Sequence, residues 1–153
     1  MVAITAILGA YLGQGILNEH ARDLSLAIQD ANRVMEQIRQ QNSACGAGTP
    51  SFDPTGFADW EAWLASAAGG GKSLPNAATD ELVVATCQNR LGTAPCAIGA
   101  DNPIRVTVAI CWRQRGRTLG ECTTAGALAA SDTNGNGLIE SPAMLTTLVT
   151  CRG

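Results

Sequence analysis

The stretch Asp132-Thr133-Asn134-Gly135-Asn136-Gly137-Leu138-Ile139-Glu140 carries oxygen-bearing side chains at alternate positions and a glycine at the sixth. The first half of an EF-hand calcium loop has this form, because a hard divalent cation needs several oxygens around it and the glycine permits the sharp turn. Asp132, Asn134 and Asn136 offer side-chain oxygens, Leu138 its main-chain carbonyl, and Glu140 a further ligand directly or through water. The twelfth position is Ala143 rather than an acid, so the usual bidentate ligand is missing. Two Asn in place of Asp also lower the charge facing the cation. Calcium binding of modest affinity is therefore the chemistry open to this set. The same residues equally make an Asn-Gly turn between sheet elements, and the sequence leaves both readings standing.

Other reactive types give less. The chain has one histidine, His20, flanked by Glu19, Arg22 and Asp23 with no identifiable nucleophile or metal partner. No catalytic constellation follows from it, and the expectation is a non-enzymatic protein. Six cysteines, Cys45, Cys87, Cys96, Cys111, Cys122 and Cys151, lack the close pairs of a zinc site. Their even number suits disulfides in an oxidising compartment. The expected pairs are Cys87 with Cys96 and Cys111 with Cys122, each closing a short loop, which leaves Cys45 with Cys151. Trp60 and Trp63 lie one helical turn apart and read as core packing. Arg113, Arg115 and Arg117 alternate, as on one solvated side of a strand or turn. With 10 basic residues against 13 acidic ones, no general nucleic-acid binding is expected.

The elements that would hold these residues follow from patterning. The chain is 153 residues long, 46% hydrophobic and only 15% charged, enough for one domain with a real core. Residues 1–18 contain no charged side chain and would rise about 26 Å as a helix. They read as the membrane-embedded half of a longer helix, with residues 19–153 forming the head. Gly9 and Gly13 make a small-x-x-x-small pair suited to close helix approach, or else, with Gly15, a locally unwound stretch. From Leu17 an apolar stripe takes over: Leu17, Ala21, Leu24, Ile28, Ala31, Met35 and Ile38, widened by Ala27 and Val34. Glu19, Arg22, Asp23, Asp30, Arg33, Glu36 and Arg39 are placed on the other sides.

Residues 44–58 then read as a loop and 59–68 as a short helix starting at Asp59 and stopped by Gly69 to Gly71. Residues 81–87, 104–113 and 144–151 read as strands, with a hairpin connection between Arg113 and Glu121. The expected fold class is α+β, a long N-terminal helix packed on a small antiparallel β-sheet.

The opening helix, MVAITAILGAYLGQGILNEHARDLSLAIQDANRVMEQIR, resembles that of type IV pilins and type II secretion pseudopilins. Met1-Val2-Ala3-Ile4 is similar to the apolar run just after the acidic residue of the mature pilin start. Residues 31–39 resemble the helix end of PilV-type minor pilins, and IRVTVAICW resembles their central strand. The likeness covers about the first quarter of the chain; the remainder agrees in layout. The basic leader, its cleavage site and the acidic residue have no counterpart here, so Met1 is expected to be an internal methionine of a longer protein. The resemblance implies a structural subunit, a minor pilin of a type IV pilus or a pseudopilin. Its partners would be other pilin or pseudopilin subunits, met through the N-terminal helix. It would sit in the inner membrane with its head in the periplasm before entering a filament at the cell surface. A membrane-anchored domain binding calcium or another ligand is the reading of a different class.

Overall fold

The structure, a computed structural model, describes residues 2–43, 50–75, 80–97, 101–123 and 125–151, with backbone alone for residues 2–10 and Leu12. The elements in chain order are α1 (Val2–Gln41), α2 (Trp60–Ala65), β1 (Glu81–Gln88), β2 (Ile104–Gln114), β3 (Arg117–Leu119) and β4 (Ala143–Val149). The fold is α+β, one long helix laid on a 4-stranded antiparallel sheet. Helix α1 runs unbroken through Gly9, Gly13 and Gly15, so the glycines do not unwind it. At 1.5 Å per residue its 40 residues span about 60 Å.

Strand β2 is the centre. On one edge it pairs with β1, from Glu81 opposite Trp112 to Gln88 opposite Arg105. The other edge is shared end to end. β4 takes residues 104–110 of β2, and β3 takes residues 112–114. Between β3 and β4 the chain leaves the sheet at Gly120 and returns at Ala143, covering the face opposite the helix on the way. This explains why β2 is buried on both sides although its sequence alternates. Val106, Val108, Ile110 and Trp112 face α1, while Ala109 and Cys111 pack with Cys122 and Ile139 of the excursion.

Only part of the expected helix stripe is covered. Ala27, Ala31, Val34, Met35 and Ile38 are buried against the sheet, and Leu24 and Ile28 lie at the margin of that contact. Leu17 is 68% exposed and Ala21 is also exposed, because here only the tip of the β2–β3 hairpin meets the helix, through Glu19, His20 and Asp23. Asp23 and Asp30 correct the solvent-facing assignment: both are buried, Asp30 completely. Asp30 lies three residues after Ala27 and four before Val34, so it falls on the flank of the stripe. Its carboxylate is satisfied there by the Ser73 main-chain N–H at 2.8 Å, the Ser73 hydroxyl at 2.7 Å and the Arg33 guanidinium.

Beside Asp30 sits Glu81, 3% exposed, whose carboxyl oxygens make no hydrogen bond of normal geometry. As a carboxylate it would be a buried charge beside another, with Lys72 and the Leu74 main-chain N–H in partial compensation; as an acid it can donate its own proton to Asp30. Burial, and then Asp30, push its carboxyl up to about 8, against the opposing pull of Lys72. Burial likewise lowers the Lys72 ammonium, which donates to the Glu81 carbonyl at 3.2 Å and pairs with Glu61.

Helix α2 begins as expected, with the Asp59 carboxylate accepting from the Ala62 N–H at 2.7 Å. It ends earlier than the glycines, at Ala65, where Ser66 turns extended and caps Trp63. Gly69 is needed for packing: a β-carbon there would stand 2.4 Å from the Trp63 carbonyl oxygen. The two tryptophans meet edge to face at 5.4 Å in the core, and Trp60 donates to the Phe52 carbonyl.

Disulfides join Cys87 to Cys96 and Cys111 to Cys122, with Cα separations of 5.3 and 6.3 Å, within the usual range. Cys151 is disulfide-bonded; the expected partner, Cys45, lies outside the described residues.

Candidate functional site

Two features outside the core have chemistry to offer. The first is the loop at residues 132–140, which the Cys111–Cys122 disulfide and buried Ile139 pin against the outer face of β2. Its local form comes from the Asx side chains. Asp132 accepts from the Gly135 and Gly137 N–H groups, both at 2.7 Å; Asn134 accepts from Asn136 at 3.0 Å and Asn136 from Leu138 at 2.8 Å. Gly137 has a φ of +76°, and a β-carbon on it would stand 2.4 Å from that of Ala94. Glycine is required there for both reasons.

Asn134, Asn136 and Glu140 are brought together, whereas Asp132 is taken up by the main-chain N–H groups of Gly135 and Gly137; a residue that the spacing did not indicate joins the first three. Glu121 accepts from Asn134 Nδ2 at 3.4 Å, from the Glu140 N–H at 3.0 Å and from the Thr133 hydroxyl. Its own N–H donates to the Glu140 carbonyl at 2.7 Å. Glu140 Oε1 in turn accepts from Asn134 Nδ2 and Asn136 Nδ2 at 3.4 and 3.2 Å. Glu121 was legible only as the neighbour of Cys122, a bridged cysteine that draws it to the loop. Leu138 contributes its N–H to the turn. Ala143, at the position of the missing acid, is fully buried in β4.

Asp132, Glu121 and Glu140 have no ion-pair partner among the described residues. Neither do three His, Cys, Asp or Glu side chains among those residues form a group able to hold a metal. A cation here would depend on Asn oxygens and main-chain carbonyls as well as carboxylates.

The second feature is the helix end that the sheet leaves bare. Tyr11 is 72% exposed, and Ile16 and Leu17 are exposed below it. Nothing lies within 4 Å of a β-carbon built on Gly13 or Gly15. Among the described residues no helix is long and apolar enough to cross a membrane. The expected transmembrane helix is corrected to that extent, because Gln14, Asn18 and the glycines dilute the apolar run.

The β2–β3 hairpin bends towards this end of the helix. Gln114 bonds His20 at 2.8 Å and Asp23 at 2.7 Å, and Arg115 pairs with Glu19. The three alternating arginines do not share a side. Arg113 stands opposite Thr118, and Arg117 opposite Gln114, so the turn at Arg115 and Gly116 puts Arg113 and Arg117 on opposite faces. Arg113 is engaged by Asp80 at 3.7 Å and by the Gly126 carbonyl.

No protein family, curated protein or solved structure matches this chain.

Proposed function

We propose that this chain is a minor pilin, a non-enzymatic subunit that enters a type IV pilus through the N-terminal half of α1. The observation that carries the reading is the division of one 40-residue helix between two uses. Its second half is buried on the sheet from Asp23 to Ile38, whereas Tyr11, Ile16 and Leu17 on its first half are left exposed by the described residues. Exposed apolar surface on this scale needs a cover. Lipid before assembly and the helices of other subunits afterwards would supply it, with glycines at 9, 13 and 15 allowing backbones to approach. The disulfide-braced head would stay outside the inner membrane.

The test is N-terminal sequencing and intact mass of the native protein from its own membranes. A methylated residue upstream of Met1 is expected, together with loss of pili on deletion. Loss of protein secretion instead of pili would assign the chain to a type II secretion pseudopilus. A native N-terminus at Met1 itself would overturn both assignments.

That Glu121 and Glu140 both take the Asn134 amide favours a second reading, compatible with the first: the loop binds calcium through Asn and main-chain oxygens as well as carboxylates and stiffens the exposed face of the head. Extracellular calcium modules have dissociation constants of about 10⁻⁴–10⁻³ M. At ~10 mM calcium such a site would stabilise the fold by about 1.4–2.7 kcal/mol. A calcium-dependent rise in Tm is expected, abolished in Asp132→Ala and weakened in Glu121→Gln. If calcium leaves the Tm of the parent protein unchanged, the loop is a turn and nothing more.

A further inference from the structure

We infer that the β2–β3 hairpin and the adjoining face of α1 form a seat for anionic phospholipid headgroups. This rests on the reading above, in which residues 1–18 sit in a bilayer; insertion to that depth does not require them to cross it.

A groove of about 520 Å³ separates the hairpin from the helix, lined by Ile16, Leu17, His20, Arg115, Arg117 and Leu119 among others. Its chemistry is divided. Ile16, Leu17 and Leu119 are hydrocarbon, and the guanidiniums stand at the hairpin. Arg115 is already paired with Glu19. Arg117 is exposed on the short edge strand, and Arg22 is exposed on the helix and lines the adjoining cavity on the other side of Arg115, where Asp23, Glu19 and Asp80 are engaged by Gln114, Arg115 and Arg113. Neither Arg117 nor Arg22 has a hydrogen-bond or ion-pair partner among the described residues.

The height of the hairpin is what selects the occupant. Its tip touches Glu19 and His20, and Glu19 is the first charged residue after the uncharged run of residues 1–18. Where that run leaves the hydrocarbon, the tip must therefore lie in the headgroup layer. There two uncommitted guanidiniums meet phosphate, and the apolar floor meets the start of the acyl chains. A second copy of the chain offering its own residues 1–18 would cover Ile16 and Leu17 but brings no acid to Arg22 or Arg117. Charge complementarity thus favours the anionic surface over the second copy.

The experiment uses the full chain and flotation with two kinds of vesicle, phosphatidylcholine alone and phosphatidylcholine mixed with phosphatidylglycerol. Binding to both is expected, with a preference for the anionic vesicles that fades as salt rises. Each arginine near such a surface is worth about 1 kcal/mol, so the Arg22→Gln/Arg117→Gln double variant should lose about thirty-fold of that preference. Both side chains are exposed and unpaired, so its Tm should equal that of the parent. Equal binding to the two vesicles, or a double variant that keeps the preference, overturns the headgroup seat and leaves the inserted helix standing. No binding to either vesicle overturns the inserted helix, and the seat with it. Self-association in detergent that the double variant loses would give the face to a second copy and likewise overturn the proposal.

Discussion

Val34→Asp is expected to detach α1 from the sheet and unfold the head. Val34 is fully buried between Ala31 and Ile38 on the helix and the β2 side chains facing them. Its removal forfeits about 1.5–3 kcal/mol of apolar burial. The new carboxylate adds the larger cost of a buried charge, since the neighbours of Val34 in that core are hydrocarbon. Together these approach the whole stability of a domain, which is about 5–15 kcal/mol. Thermal melting followed by circular dichroism should show the cooperative transition lost, or lowered by tens of degrees. Leu24→Asp is the control: Leu24 is half-buried at the margin of the same contact, and its substitution should cost clearly less. Equal, small effects at the two positions would mean that α1 is not held by its buried stripe.

Stability should also fall as the solution is made alkaline, and Glu81 is the reason. An acid whose pKa is higher in the folded chain than in the unfolded one takes up a proton on folding. Its contribution is full below about pH 4.5 and is lost as pH rises through about 8. At about 1.4 kcal/mol per unit, the loss across that window is on the order of several kcal/mol. The groups that decide it come from three elements. Asp30, held by Arg33, belongs to α1, Lys72 and the Leu74 main-chain N–H to the segment leading into β1, and Glu61, which pairs with Lys72, to α2. Glu81→Gln keeps the shape and offers Asp30 an N–H in place of the acid proton, without a charge to develop. The difference in Tm between parent and variant, measured from pH 5 to pH 8.5, isolates this group from all others that titrate. The variant should become the more stable of the two towards the alkaline end. A difference that stays constant across the window would show that Glu81 carries no excess proton.

These two predictions rest on residues that differ in how far they could be read in advance. Val34 was legible. It belongs to a run of apolar side chains at three- and four-residue steps, and such a run dictates a helix with one buried face whatever covers it. The strands were legible for the same kind of reason, since β-branched residues in Ile104–Gln114 and Ala143–Val149 suit a pleated half-buried surface. The short loops between Cys87 and Cys96 and between Cys111 and Cys122 suggested two of the fifteen possible pairings, and both disulfides form. In each case the determining interactions lie within one element or across one turn.

Glu81 and Asp30 were not legible as a pair. They are far apart in sequence, each surrounded by residues that allow a solvent-facing side chain, and only the docking of α1 on the sheet beside Ser73 and the start of β1 brings the two carboxyls together. The same holds for Glu121. Its spacing from Asp132 matches no ligand pattern, and it reaches the loop because the Cys111–Cys122 disulfide and the return of the chain to β4 fold the excursion back on itself. The arginines of the hairpin show the converse. Alternation put them on one side, and the turn at Arg115 and Gly116, by reversing the chain, separated Arg113 from Arg117. The sequence by itself thus determined the elements and the apolar faces they must bury, because periodicity and turn chemistry act over a few residues. Tertiary structure alone decided which polar groups are buried, paired or left free, because that depends on contacts between distant segments and on where the sheet stops covering the helix.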